Sequence, residues 1–302
     1  MVAERIEMCT YEGFTYSCRV VENAEARTEP IVLVGGAYQD MYAFHRVERP
    51  WRRAATLVVV ELPGVGTADV LPASYGFDFL GLALGHLLDR LGLERVNLVG
   101  VSYGCAVAYR HARTNPTGVA RLGLCGYSPS LRAESVALLR AMADALESDE
   151  PDEFAHHAAR FLVRQDPAVF VTNRDAVLRV LAYVLGGTAP EQRPRFADAS
   201  LRMIRHALIP PGPVTGVRAL CFTGEHDQLC PPDRGREVAA RFDDASFALL
   251  RDADHLCFLE RPADFADLVT RFCTDQPLDD LPYLTPVERH GRRWAADREV
   301  RS

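Results

Sequence analysis

Three residues of this chain have the types and the order that activate a serine hydroxyl. Ser102 lies in the run Gly-Val-Ser-Tyr-Gly at residues 100–104, between an apolar stretch and a helical pattern. Asp227 follows a second apolar stretch, and His255 follows a third. A serine is a weak nucleophile until a base removes its proton, and a carboxylate can orient that base. We therefore predict nucleophilic catalysis by Ser102, with His255 as the base and Asp227 as its partner.

The residues around Ser102 decide how specific this signal is. Gly-x-Ser-x-Gly alone is weak, because the same residues form ordinary turns between a strand and a helix. A strained turn that exposes the serine requires glycine at both flanking positions, because a side chain there would clash with the adjacent strand and helix. Glu225 is an alternative to Asp227, since it follows the same apolar stretch. The chain order Ser102, Asp227, His255 favours the aspartate.

A second glycine turn supplies the remaining part of such a site. The apolar run at residues 31–34 leads into Gly-Gly-Ala at residues 35–37. The backbone N–H groups of Ala37 and Tyr103 are predicted to form an oxyanion hole, which stabilises the negative charge of a tetrahedral intermediate. The run Pro-Gly-Val-Gly at residues 63–66 is interpreted as a structural turn.

Composition limits the class of protein. The chain has 302 residues, of which 48% are hydrophobic and 25% charged, and its net charge is −7. This balance is typical of a globular protein with a large core, and the negative charge disfavours nucleic acid and anionic membranes as partners. The sequence contains arginine but no lysine. Schiff-base chemistry and a serine–lysine dyad are therefore excluded.

The remaining signals favour a cytoplasmic enzyme without a cofactor. The N-terminus lacks the apolar stretch of a secretory signal, and no run is long enough to span a bilayer. The eight cysteines form no Cys-x-x-Cys pair, and we interpret them as buried small residues of a reduced protein. We find no cluster with metal-ligand spacing, so neither a metal nor another cofactor is expected.

Short apolar runs alternate with amphipathic helical patterns along most of the chain. This alternation predicts an α/β fold, with a mainly parallel central sheet and helices on both faces. Residues 127–213 contain only helical patterns separated by Pro and Gly, the first opened by Ser130 as its N-cap. We predict a core domain of residues 1–126 and 214–274, a helical lid of residues 127–213, and a loosely attached C-terminal extension of residues 275–302.

These motifs together resemble the α/β-hydrolase superfamily over residues 15–273. The resemblance implies the α/β-hydrolase fold, with Ser102 as nucleophile, Asp227 and His255 completing the triad, and Ala37 in the oxyanion loop. Two positions depart from the usual pattern: Gly35 stands where many members have His, and residue 61 is Glu instead of Asp. Neither removes a group of the triad. Tyr103 stands where haloperoxidase-like members commonly carry Met, which disfavours that activity.

The resemblance implies a serine hydrolase that cleaves an ester or thioester of a hydrophobic or mixed small molecule. Acyl, aromatic and polyketide-like groups are the expected substrate types. Alternatives with the same triad are acyl transfer, C–C cleavage and elimination, and the lid is loosely similar to that of the acyltransferase of rhamnolipid synthesis. A non-catalytic ligand receptor is a further alternative. Aromatic and soft apolar residues near the lid are the candidate substrate contacts: Tyr38, Tyr127, Phe161, Tyr183 and Met203.

Overall fold

A nine-stranded sheet runs through the part of the chain that the computed structural model describes, residues 4–291. The strands, in chain order, are β1 (Glu4–Tyr11), β2 (Phe14–Val21), β3 (Ile31–Val34), β4 (Leu57–Glu61), β5 (Val96–Val101), β6 (Val119–Cys125), β7 (Val214–Gly224), β8 (Phe242–Leu250) and β9 (Glu288–His290). Six of them, in the order β4-β3-β5-β6-β7-β8, pair in parallel. The predicted mainly parallel sheet is therefore confirmed.

The helices cover both faces of this sheet. They are α1 (Glu48–Ala54), α2 (Phe77–Arg90), α3 (Tyr103–Thr114), α4 (Ala133–Glu147), α5 (Pro151–Leu162), α6 (Arg174–Gly186), α7 (Arg193–Arg205), α8 (Pro232–Ala239), α9 (Cys257–Glu260) and α10 (Pro262–Cys273). None of the helices in the described residues is long and apolar enough to cross a membrane. Helices α2 and α3 pack against each other, as do α1 and α10.

The central strands are apolar because both of their faces are covered. Every residue of β3, β4 and β5 is buried. Strand β3 lies between β4 and β5 and pairs in parallel with both, so Val34 lies opposite Gly100. The loop after β3 and the loop after β5 therefore leave the sheet side by side. Ligands bind at this kind of position in open parallel sheets.

The segment between β6 and β7 is the helical stretch that the sequence predicts. It contains α4 to α7, and α4 packs against both α5 and α7. Polar contacts hold its end to the rest of the protein. Arg110 of α3 donates to the backbone oxygens of Ala207 and Leu208, and the Asp198 carboxylate accepts the N–H of Ala73. We call residues 127–213 the helical insertion.

Several details differ from the sequence prediction. Helix α4 begins at Ala133 with Arg132 as N-cap, so the proposed Ser130 cap is wrong. Strand β1 was not predicted, because it is an edge strand with mostly exposed side chains and shows little apolar pattern.

The C-terminal extension is attached more closely than expected over its described part. Strand β9 pairs antiparallel with β8, and the carboxylate of Asp275 contacts Arg121 and Arg218. Leu284 is buried against the core. The expectation of loose attachment therefore needs correction for residues 275–291. Residues 292–302 of the extension lie outside the described residues.

Candidate active site

Ser102 occupies the tight turn between β5 and α3. Its φ of 51° and ψ of −115° lie in a region that residues with a side chain rarely adopt. The turn brings two backbones together: a Cβ on Gly104 would lie 2.1 Å from the Val34 carbonyl oxygen, and one on Gly100 would lie 2.8 Å from the Cys105 Cα. Both positions therefore require glycine, as the sequence pattern indicated.

His255 and Asp227 meet Ser102 in an unbroken chain of hydrogen bonds. The Nε2 atom of His255 lies 3.0 Å from the Ser102 Oγ, and its Nδ1 lies 3.0 Å from the Asp227 Oδ2. A carboxylate only accepts hydrogen bonds, so Nδ1 carries the proton and Nε2 accepts from the serine hydroxyl. This tautomer leaves His255 ready to remove the serine proton.

Asp227 is held in place by its own partners. Its Oδ1 accepts the backbone N–H of Cys230 at 2.7 Å, and its Oδ2 also accepts the Thr223 hydroxyl. The alternative carboxylate, Glu225, is engaged elsewhere: it accepts the N–H of Asp252 and lies 3.1 Å from the Nε2 of His226. The structure therefore brings Asp227, and not Glu225, to His255.

Two further carboxyl groups lie behind His255. The Glu260 carboxyl accepts the N–H of Asp254 at 2.6 Å, and the Asp254 carboxyl accepts the N–H of Arg164 from the helical insertion. Burial raises the pKa of Asp254 to about 6 and that of Glu260 to about 8. Burial alone opposes the charged form of His255, but Asp227, together with Asp254 and Glu260, outweighs it and raises the pKa of His255.

The predicted oxyanion donors belong to the loop after β3 and to the turn at Ser102, and Ala37 lines the same cavity as Ser102. Tyr103 is the first residue of α3, where a backbone N–H has no partner inside the helix. Within residues 4–291, the N–H groups of both Ala37 and Tyr103 have no protein acceptor. The preceding Gly36 N–H is already engaged, since it donates to the Gln39 Oε1 at 2.5 Å. Within the described residues, one N–H group without an acceptor therefore remains in the loop after β3 and another directly after Ser102.

The structural turn at residues 63–66 is tied to this region by Glu61. The Glu61 carboxylate accepts the N–H of Met41 at 2.9 Å, and it accepts both the N–H and the hydroxyl of Thr67. Gly66 has a φ of 56°, and a Cβ there would lie 2.1 Å from the Glu61 carboxyl carbon. Glu61 thus connects the loop after β3 to the loop after β4, where the family pattern has an aspartate.

Ser102 opens onto a cavity of about 410 Å³ beneath the helical insertion. One wall is the loop after β3, including Tyr38 and Gln39, and the other is the apolar face of α6, including Leu181 and Leu185. A smaller cavity of about 30 Å³ also reaches Ser102. His255 lines the larger cavity only.

Four of the five candidate substrate contacts lie at these cavities. Tyr38 lines the larger cavity and Tyr127 the smaller, whereas Phe161 and Met203 line both. Tyr183 requires a correction, because it is 85% exposed and lies outside both cavities. Helix α6 lines the larger cavity with Leu181 and Leu185 instead.

Several residues that line the larger cavity are not among the candidate substrate contacts predicted from the sequence. The loop after β3 contributes Gln39, His45 and Arg46, and α6 contributes Leu181 and Val184. The apolar periodicity of α6 marks its buried face, and this was a usable signal for Leu181. The loop residues follow no periodic pattern, so no local signal identifies them.

Two groups of residues within the described part of the chain have donor atoms close enough for a metal ion. One is Asp227, Cys230 and His255, but the aspartate and histidine atoms are engaged with each other. Burial also raises the pKa of the Cys230 thiol, which opposes the thiolate that a metal needs. The other is the partly exposed Glu225, His226 and Asp252. The chemistry of the first group, Asp227, Cys230 and His255, fits a proton-transfer chain better than a metal centre.

Residues 31–268 match the family model described as "Alpha/beta hydrolase family". The chain belongs to the alpha/beta hydrolase family. Its solved neighbours share the fold of this family: an alpha/beta hydrolase from a Medee basin deep-sea metagenome library has a TM-score of 0.77 at 16% identity, covering 91% of this chain and 100% of that one. The enol-lactonase of Burkholderia xenovorans has a TM-score of 0.74 at 21% identity, covering 89% and 100%.

Two sequence relatives of this alpha/beta hydrolase are named as an esterase and a hydrolase. The chain is 30% identical over 226 residues to a pimeloyl-[acyl-carrier protein] methyl ester esterase of Methylococcus capsulatus, covering 70% of this chain and 82% of the relative. It is 25% identical over 229 residues to a 2-hydroxy-6-oxononadienedioate/2-hydroxy-6-oxononatrienedioate hydrolase of Pseudomonas putida, covering 72% and 76%. The protein is therefore an enzyme of the hydrolase class with the alpha/beta hydrolase fold.

Proposed function

We propose that this enzyme is a serine hydrolase that cleaves an ester or thioester of a hydrophobic or mixed small molecule. The observation that carries the proposal is the hydrogen-bonded chain from Asp227 through His255 to Ser102, which opens onto a mainly apolar cavity. The distances of 3.0 Å between these groups support the role that the proposal gives to each of them. The methyl ester esterase among the relatives supports ester cleavage.

The reaction proceeds in two halves through an acyl-enzyme. His255 takes the proton of the Ser102 hydroxyl while Oγ attacks the ester carbonyl carbon, and the Ala37 and Tyr103 N–H groups receive the negative charge. His255 then gives the proton to the leaving alcohol or thiol. Water, activated by the same histidine, releases the acid and restores Ser102. Asp227 stabilises the charged imidazole throughout.

The helical insertion acts as a lid in this proposal. It contributes Phe161, Leu181 and Met203 to the cavity, so it excludes water and binds the apolar part of the substrate. The insertion also contacts the histidine loop, through the Arg164 N–H that donates to Asp254. A hydrogen bond thus links the lid directly to the loop that carries His255.

Turnover of p-nitrophenyl esters by the wild type and by Ser102→Ala tests the proposal. Loss of the nucleophile is expected to lower kcat/KM by about 10⁴-fold or more, while the fold is retained. Ser148→Ala, on the exposed end of α4, is the matched control and should keep full activity. A fluorophosphonate should label the wild type at Ser102. Equal turnover by Ser102→Ala would refute the assignment of the nucleophile.

C–C hydrolysis is the second candidate, and the Pseudomonas putida relative is the observation that favours it. The same triad serves both reactions, so product analysis is required to separate them. A 2-hydroxy-6-oxo-dienoate and a simple ester should be compared under the same conditions. A kcat/KM for the dienoate more than tenfold above that for the ester would favour C–C cleavage.

A further inference from the structure

Two cavities of very different size meet at Ser102. The larger measures about 410 Å³ and the smaller about 30 Å³. Ser102, Phe161 and Met203 are the residues that line both, so these two side chains separate the cavities on the lid side. By the same measure the smaller space is less than a tenth of the larger, so it offers room for a short group and far less for a long alkyl chain.

The position of His255 decides which arm of an ester each cavity receives. The leaving oxygen must take its proton from the His255 Nε2, so the alcohol arm has to lie beside the imidazole. His255 lines the larger cavity and not the smaller. The alcohol arm therefore enters the larger cavity, and the acyl chain is left with the smaller one.

The walls of the smaller cavity are fixed by packing and by a hydrogen bond. Tyr127 is buried, and its hydroxyl donates to the Gly235 backbone oxygen at 2.9 Å, so its ring cannot swing aside without breaking that bond. Ile209 and Leu229 are also buried and line the same space. Close-packed side chains of this kind resist expansion, so a longer acyl chain meets a steric penalty.

The larger cavity has the opposite character. Its apolar wall comes from the helical insertion and includes Val180, Leu181 and Phe196. This wall offers a long apolar surface to one arm of a substrate, and the hydrophobic effect favours its burial there. The polar side chains His45 and Arg46 lie elsewhere on the lining, in the loop after β3.

From this asymmetry we infer that the enzyme prefers esters with a short acyl group, acetyl above all, on a bulky apolar alcohol. The inference rests on the proposed serine-hydrolase function and names its substrate class. In the first step the Ser102 Oγ forms a bond to the acetyl carbon and the bond from that carbon to the alcohol oxygen breaks. The serine proton passes through His255 to the alcohol. Water then converts the acetyl-enzyme to acetate and free Ser102.

Two isomeric esters test the inference directly. Hexyl acetate and methyl heptanoate have the same formula, but the long arm belongs to the alcohol in the first and to the acid in the second. Acid release is followed by pH-stat titration, so no chromogenic group is needed. The wild type should hydrolyse hexyl acetate with a kcat/KM at least tenfold above that for methyl heptanoate. Equal rates, or faster hydrolysis of methyl heptanoate, would overturn the inference.

A variant pair locates the selectivity in the smaller cavity. Ile209→Ala enlarges this cavity. The ratio of kcat/KM for hexyl butanoate to kcat/KM for hexyl acetate should therefore rise at least fivefold. Leu181→Ala, in the larger cavity, is the matched control and should leave this acyl-length ratio unchanged. An unchanged ratio in a folded Ile209→Ala enzyme would contradict the assignment of the acyl pocket. The isomer comparison needs no variant and decides the question if Ile209→Ala does not fold.

Failure of the inference can be told apart from failure of the proposed function. A wild-type enzyme whose Ser102 reacts with a fluorophosphonate, but which hydrolyses neither isomer, overturns the substrate preference and leaves the nucleophile standing. A protein that neither labels at Ser102 nor hydrolyses any ester overturns the proposed function itself.

Discussion

Replacing Glu260 by glutamine is expected to change how the stability of this enzyme depends on pH. Glu260 and Asp254 are the two buried carboxyl groups behind His255. One Glu260 oxygen accepts the Asp254 N–H, and the other has no hydrogen-bond partner within residues 4–291. Burial, together with the Asp254 carboxylate, raises the pKa of Glu260 from 4.5 to about 8. Glutamine keeps the acceptor for the N–H but cannot ionise.

The sign and size of the effect follow from proton linkage. Between pH 4.5 and about 8, the folded protein holds a proton on Glu260 that the unfolded chain has released. The stabilising contribution of this proton is complete below the unfolded pKa and is lost as the pH rises through the folded pKa. Between the two pKa values, each pH unit lowers the free energy of unfolding by about 1.4 kcal/mol, and this slope becomes smaller near the folded pKa. The wild type should therefore lose about 2 kcal/mol between pH 6 and pH 8 through Glu260 alone.

Denaturant unfolding at pH 6 and at pH 8 measures this difference. The free energy of unfolding of the wild type should fall by about 2 kcal/mol more over this range than that of Glu260→Gln. Glu94→Gln is the matched control, since it makes the same change from carboxyl to amide at an exposed position. It should follow the wild type. If the wild type and Glu260→Gln lose stability in parallel, the reasoning about the buried proton is refuted.

Three further substitutions test the packing around the site, each by denaturant unfolding. Gly104→Ala places a Cβ 2.1 Å from the Val34 carbonyl oxygen, so we expect a loss of about 3 kcal/mol or more, and a stability near that of the wild type would contradict the tight turn. Arg202→Met removes the buried donors to the Tyr103 hydroxyl and to three backbone oxygens, which should cost about 3 kcal/mol or more. Tyr183→Ser, on an exposed helix face, should change the free energy of unfolding by less than about 0.5 kcal/mol and leave ester turnover intact. A large loss of turnover would instead indicate that Tyr183 contacts the substrate.

Much of the fold could be predicted because its strands are buried on both faces. Strand β3 is a continuous apolar run, and β4 and β5 are largely apolar apart from Glu61 and Asn97; runs of this kind favour central parallel strands. The edge strands were different. Strand β1 is mostly exposed, so its pairing with β2 left no apolar pattern in the sequence. Helix α1 was missed in the same way, because its seven residues are too few to show a periodic pattern.

The site shows the same division between local and long-range information. Ser102 and its two glycines form a five-residue motif that is visible in the sequence, although Gly104 is required by the Val34 carbonyl oxygen of strand β3. The choice of Asp227 over Glu225 also followed from the sequence pattern. The carboxyl groups of Asp254 and Glu260 were not identified, because their effect depends on burial and on the distance to His255.

The sequence by itself determined which residues are the candidates for the chemistry. Residue type and order predict a nucleophile, a base and a carboxylate, because each group must follow the end of a strand to reach the same edge of a parallel sheet. Tertiary structure decided the shape of the space around them. Phe161 and Tyr183 are both aromatic residues of the helical insertion, yet the first lines both cavities and the second faces solvent. That outcome depends on how α5 and α6 pack over the sheet, and a local pattern of residue types does not contain those long-range contacts.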